Sequence, residues 1–136
     1  MSLSDEERAA LVAYRLEKAT RTLRQAKESI PLGYWEMTAN RLYYAAYFAV
    51  SALLLNSGMS VQTHNGINQM FGLHFIKTGI LDKSFSSLYG RLFSLRQTGD
   101  YGDIFDLEEH DVLPFVELTE RLISAIQELL AKEKKS

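Results

Sequence analysis

From Leu42 to Leu55 the sequence is apolar with one interruption, Ser51. On a helix, Tyr43, Tyr44, Ala45, Ala46, Tyr47, Phe48, Ala49 and Val50 leave no polar face, so this segment is stable only where neighbours cover it on several sides. The run is shorter than the ~20 residues that a bilayer-spanning helix needs, and Arg41 and Asn56 close it at both ends. It therefore reads as the central helix of a bundle, from about Tyr34 to Asn56 with Gly58 as its stop, or as a helix that also serves a dimer interface.

The rest of the chain supplies the neighbours. Ser4 followed by Glu7 is a capping-box start, and Val12, Leu16, Ala19, Leu23, Ala26 and Ile30 then recur as one helical stripe up to Pro31 and Gly33. Arg8, Arg15, Lys18, Arg21 and Arg24 fall mostly off that stripe. Thr63 can cap a third helix carrying Ile67, Met70, Phe71, His74 and Phe75 inward, stopped by Gly79. Asp82 or Ser84 can cap a fourth with Phe85, Leu88, Tyr89, Leu92 and Phe93 inward, ending at a break over Gly99-Asp100-Tyr101-Gly102-Asp103. Asp106 with Glu109 offers a start for the last helix, in which Val112, Phe115, Leu122, Ile126 and Leu129 face inward; Pro114 either begins its regular part or kinks it. No strand pattern competes. The expectation is an all-α, up-and-down bundle of four to five helices, a single domain over 1–136 with its core at about 4–130. At 46% apolar and 24% charged residues, 136 residues can bury such a core without a disulfide or a metal.

Charge and motif content narrow the function. A formal net charge of −2 gives no global attraction to nucleic acid or membrane, so contact with RNA would need a local cluster of cations. With no cysteine there is no thiol nucleophile or thiolate site. The acidic, polar start Met1 to Glu7 is unlike a signal peptide, and the chain reads as cytoplasmic, away from membranes. Bundle di-metal sites use Glu-x-x-His pairs on facing helices. None occurs here, and Glu108, Glu109, His110 and Asp111 are consecutive, so they point around a helix. Phosphate-cradling and nucleophile-elbow motifs are likewise missing, and the expectation is no metal and no cofactor.

One side chain stands out. At about 100° per residue, with Phe85 at zero, Leu92 falls near 340°, Tyr89 near 40° and Arg96 near 20°, inside the apolar stripe. A guanidinium there needs an anion. Asp100, near 60°, can supply one as an i,i+4 structural pair, or the site opens into a groove where an anion binds. Arg41 can snorkel to solvent or end in the same cluster; with Asn40, Tyr101 and His64 the two arginines would make a phosphate pocket. His64 is a capping residue, a phosphate ligand or a general acid/base. His74 reads as a core histidine, His110 as a solvated one among acids, and Tyr43, Tyr44 and Tyr47 as core and interface rather than a base-stacking platform.

Three blocks carry a family likeness. Asn40-Arg41-Leu42-Tyr43-Tyr44-Ala45-Ala46-Tyr47-Phe48 resembles the NRxYYAAYF signature of small prokaryotic HEPN proteins, Thr63-His64 with the Phe71–Phe75 segment resembles their next block, and Arg96-Gln97-Thr98-Gly99-Asp100-Tyr101 resembles their RxxxDY block. The likeness spans about Trp35 to Leu130. It implies a dimerising helical bundle that associates with nucleotides or RNA, often beside a minimal nucleotidyltransferase in toxin–antitoxin or defence systems. It also implies a metal-independent ribonuclease alternative, in which an Arg-x4-6-His motif at a dimer cleft cuts RNA. Arg96 matches the arginine of that motif, Tyr101 stands where its histidine would be, and His110 lies too far along. The candidate catalytic residues are then Arg96, Tyr101 and His64, with Asn40, Arg41 and Asp100 binding ligand. A third reading makes Arg96–Asp100 a structural pair in a non-catalytic interaction scaffold.

Overall fold

The computed structural model describes residues 3–102 and 106–135, and every described regular element is helical. α1 (Asp5–Ser29) opens with the expected capping box: the Glu7 amide donates to Ser4 Oγ at 3.1 Å, and the Ser4 amide donates to Glu7 Oε1 at 2.9 Å. Its stripe buries Val12, Ala19, Leu23 and Ala26. Gly33, at φ 71°, turns the chain into α2 (Trp35–Asn56), and Gly58, at φ 82°, stops it; only glycine adopts this left-handed backbone without strain.

α2 packs against α1, α4 and α6 together, as its all-round apolarity demands. Leu42, Ala45, Ala46, Ala49, Val50, Ala52 and Leu53 are fully buried. α1 and α2 run antiparallel: Arg15 meets Ser51 near one end of the pair and Gln25 meets Arg41 nearer the other. α6 (Pro114–Lys135) lies antiparallel to α1, tied by Lys27–Glu120 and by Gln127 Nε2 donating to Thr20 Oγ1 at 3.1 Å. No helix among the described residues is long and apolar enough to cross a membrane.

Four details depart from the pattern in the sequence. α3 (His64–Phe71) passes into a π-helical turn over Gly72–Ile76. The wider turn keeps Phe75 buried beneath Phe71 but swings His74 into solvent, so His74 is not a core histidine. Asp82 caps a short 3-10 turn, Lys83–Phe85, rather than α4, which begins at Leu88; Phe85 is buried from that turn. α4 (Leu88–Tyr101) does not break at Gly99. It runs to Tyr101, and Asp103 lies outside the described residues. Gly99 is needed for approach rather than interruption, since a Cβ there would meet Leu107 Cδ1 at 2.9 Å and Glu36 Cα at 3.4 Å. The last helix is entered through Glu108, not Asp106. Glu108 and Asp111 cap the single turn α5 (Glu109–Val112), and Pro114 then starts α6, where its missing N–H is not needed.

Candidate functional site

The site forms where α2 and α4 pack together. Tyr89 and Leu92 are fully buried, which fixes the phase of α4. One turn beyond Leu92, Arg96 is carried in over the N-terminal half of α2. Its guanidinium carbon lies 5.2 Å from the Tyr43 ring centre, 5.4 Å from Tyr44, 5.6 Å from Phe93 and 6.0 Å from Tyr101. The negative faces of these rings attract the cation and cover its stem, leaving 14% of the side chain exposed. Arginine stays protonated here at any accessible pH.

One carboxylate answers it. Arg96 Nη1 donates to Asp100 Oδ2 at 3.2 Å, from one turn further along α4. The same oxygen accepts from Asn40 Nδ2 at 3.1 Å. Asn40 Oδ1 in turn accepts both Nε and Nη2 of Arg41, at 3.0 and 2.7 Å, and Arg41 Nη1 donates to Gln25 Oε1 at 3.3 Å. Gln25, Arg41, Asn40, Asp100 and Arg96 thus form one hydrogen-bonded chain across three helices. Arg96 Nε is buried and has no acceptor. A buried N–H without a partner costs about 1–3 kcal/mol, so an acceptor reaching it would recover part of that.

His64 stands on the far side of the same rings. The Thr63 hydroxyl accepts the Gly66 amide at 3.0 Å and so caps α3 at its first turn. The imidazole stacks on Phe93 at 3.7 Å and on Tyr89 at 4.9 Å between ring centres. Its Nδ1 is 3.4 Å from the Tyr43 hydroxyl, which lies 3.3 Å from the Tyr89 hydroxyl. Burial pushes both phenols above the ordinary tyrosine value, Tyr89 furthest, so they stay neutral.

Burial first, and then the nearby Arg96 charge, hold the His64 pKa below its ordinary 6.5. The unfolded chain then binds more protons between the folded value and 6.5, so stability rises with pH through that window. The His64 contribution is whole above 6.5 and is lost as pH falls through the folded value. A proton NMR titration should place the His64 midpoint below 6.5, and Arg96→Gln should move it upward. A midpoint at or above 6.5 in the parent would contradict the stacked, partly buried imidazole.

Gly66 protects this arrangement. A Cβ there would lie 2.8 Å from Thr63 Oγ1 and 2.5 Å from Val61 Cγ1. Gly66→Ala should therefore displace the cap and lower stability by about 1 kcal/mol, the usual worth of an N-cap, despite alanine's better helix propensity. The loss would be read by thermal melting, with a shifted His64 resonance beside it.

The six residues singled out in the sequence thus occupy one region. Asn40, Arg41, Arg96 and Asp100 join through hydrogen bonds. Tyr101, 74% exposed at the end of α4, joins through its ring, and His64 joins through Phe93 and the Tyr43 hydroxyl. Gln25, which orients Arg41, carries no signal in the sequence because its role depends on how α1 and α2 pair. His110 is exposed beside Glu108 and Asp111 and takes no part. Among the described residues no three His, Asp or Glu side chains converge to hold a metal. A recess of about 630 Å³, lined by Asn68, Ser87, Gly90, Arg91 and Thr98 among others, opens on the opposite face of α4 and contains none of these rings.

The fold is thus a helical bundle centred on an apolar helix, with an arginine caged over its tyrosines and tied to an Asp-Tyr helix end. The family model described as HEPN domain matches residues 12–129, and the chain belongs to that family. It is 34% identical over 130 residues to a UPF0332 protein of Thermotoga maritima, covering 96% of this chain and 98% of that protein. It is also similar to a Methanocaldococcus jannaschii protein named "Putative toxin MJ0142", 28% identical over 96 residues, or 71% of this chain and 65% of that one. A second toxin-named protein of the same organism is 29% identical over 93 residues, 66% of this chain and 69% of that one.

Proposed function

We propose that the chain is a HEPN-type binding module for nucleotides or RNA, with Arg96 holding the ligand's phosphate. One observation carries this reading. Arg96 is fixed among aromatic rings, yet Asp100 engages it through a single contact and its Nε has no acceptor. A phosphate oxygen is the partner that a fixed, planar guanidinium accommodates best. Arg41, Asn40 and Asp100 order the approach, and the exposed Tyr101 ring flanks it. The module acts as a homodimer paired with a minimal nucleotidyltransferase in a toxin–antitoxin or defence-type system; the toxin names of two relatives support that setting. Calorimetric titration of the purified chain with AMP and with short RNA tests the binding. Wild-type binding that Arg96→Ala removes is the expected outcome, and no binding by the wild type ends the reading.

The second reading, a metal-independent ribonuclease toxin, draws on the depressed His64 pKa. A neutral imidazole can take the proton of a ribose 2′-hydroxyl as that oxygen attacks phosphorus. The P–O5′ bond breaks, the 5′-oxygen leaves as the alcohol after taking a proton from water, the imidazolium of His64 returns its proton to solvent, and Arg96 offsets the charge that develops on the phosphate. Growth arrest with RNA breakdown on expression, relieved by Arg96→Ala and by His64→Ala, is its signature. Unhindered growth with intact RNA would exclude it.

A further inference from the structure

We infer that the seam between α1 and α2 is a second contact surface for a single-stranded polynucleotide, with phosphates along Arg41, Lys18 and Arg15 and a base stacked on the half-buried ring of Tyr47, a residue that the sequence pattern alone assigns to core and interface. The inference rests on Arg96 as a phosphate site and extends that site from one nucleotide to a strand.

Three helix-to-helix contacts define the seam: Arg41 with Gln25, Lys18 over the Phe48 ring at 4.7 Å, and Arg15 Nη1 donating to Ser51 Oγ at 3.0 Å. Between Arg41 and Ser51 it runs about 15 Å along α2, at ~1.5 Å per residue. Cations and rings alternate along it. Tyr44 carries Arg96 on its face at 5.4 Å and Arg41 at 5.6 Å, and its ring centre is 6.3 Å from that of Phe48.

At the far end, Tyr14, Arg15, Lys18, Tyr47 and Phe48 border a recess of about 290 Å³ with no carboxylate in its lining. Among the described residues, Arg15, Lys18 and Arg41 have no carboxylate within ion-pair distance. Cations without counter-charges, spaced beside half-buried aromatic faces, are the combination by which proteins track a single strand: the charges follow the backbone and the rings take the bases. At about 290 Å³ the recess has the volume for a planar base. A second copy of this chain fits worse, because a two-fold contact through the seam would set these uncompensated cations against themselves.

The test is fluorescence anisotropy with labelled dodecamers of uridine and of thymidine, beside calorimetry with AMP, on the full chain and on Arg15→Gln/Lys18→Gln. The double variant should bind the dodecamer roughly tenfold more weakly, while AMP binding stays as in the parent. The slope of log K against log salt should become shallower by about 0.7 for each phosphate that the variant no longer neutralises. Preference between the dodecamers assigns RNA or DNA. Lys18→Glu, which keeps the Arg15–Ser51 bond, replaces the double variant if that melts early. Dodecamer binding unchanged in these variants, or absent in the wild type, overturns the seam and leaves the AMP result standing. Conversion of a dimer to a monomer by light scattering, with dodecamer affinity intact, also overturns it. If Arg96→Ala spares AMP binding while the seam variants still weaken the dodecamer, the Arg96 reading fails and the seam survives.

Discussion

Arg96→Met is expected to leave global stability within about 1 kcal/mol of the parent, while the proposed nucleotide and RNA binding falls at least about thirtyfold. Methionine keeps the apolar stem among Tyr43, Tyr44 and Phe93 and removes only the charge. The losses are the cation–ring attraction, about 0.5–2 kcal/mol for a guanidinium this far out of solvent, and a modest i,i+4 ion pair. The gain is release of the buried Nε that has no acceptor, worth about 1–3 kcal/mol. Asp100 keeps its bond from Asn40 and 26% of its side-chain exposure, so it is not stranded. Binding has no such compensation, because losing a charged partner to a phosphate costs about 2–5 kcal/mol, and each 1.4 kcal/mol is about a factor of ten. If Arg96–Asp100 were a sealed structural pair, breaking it would cost about 3–5 kcal/mol. Thermal melting and a binding titration on one variant therefore separate ligand site from scaffold. A steep fall in melting temperature with binding retained would assign Arg96 to the fold.

The second large effect belongs to the core. Leu42 is fully buried on α2, directly after Arg41, and α1, α4 and α6 all pack on that helix. Leu42→Ala should lower stability by about 2–5 kcal/mol, since the cavity adds to the lost transfer energy. For a domain of this size that is a melting temperature lower by roughly 7–18 °C. It is also expected to loosen Asn40 and Arg41, which precede it directly on α2. A change below about 1 kcal/mol, seen by denaturant titration, would mean that the helices collapse onto the gap.

Much of this molecule is legible in its residues alone. The caps at Ser4 and Thr63, the stop at Gly58 and the central place of α2 follow from local chemistry and periodicity, and the structure has each of them. The position of Arg96 in an apolar stripe is visible too, although the reference residue Phe85 lies on a separate 3-10 turn. His74 escapes a helical-wheel reading because the π-turn over Gly72–Ile76 changes the angle per residue, and no local residue type announces that change. The entry to the last helix is displaced because Glu108 and Asp111 make a capping pair as good as the one expected at Asp106 and Glu109.

The seam cations show the other limit. On α1, Arg15 and Lys18 read as ordinary solvent-face charges, and they differ from Arg8 only in what faces them. Arg8 meets Asp5 on its own helix, whereas Arg15 and Lys18 meet Ser51 and Phe48 of α2.

The amino-acid sequence alone settled the helical class, the helix that must be central and the arginine that its own stripe could not shelter, because those follow from period and polarity within one segment. Only the tertiary structure decided that Arg41 reaches Arg96 through Asn40 and Asp100, that His64 lies against Phe93, and that two basic residues of α1 border the rings of α2. Those relations depend on helix pairing and rotation, which are set by packing summed over the whole core and are not encoded in the spacing within any one helix.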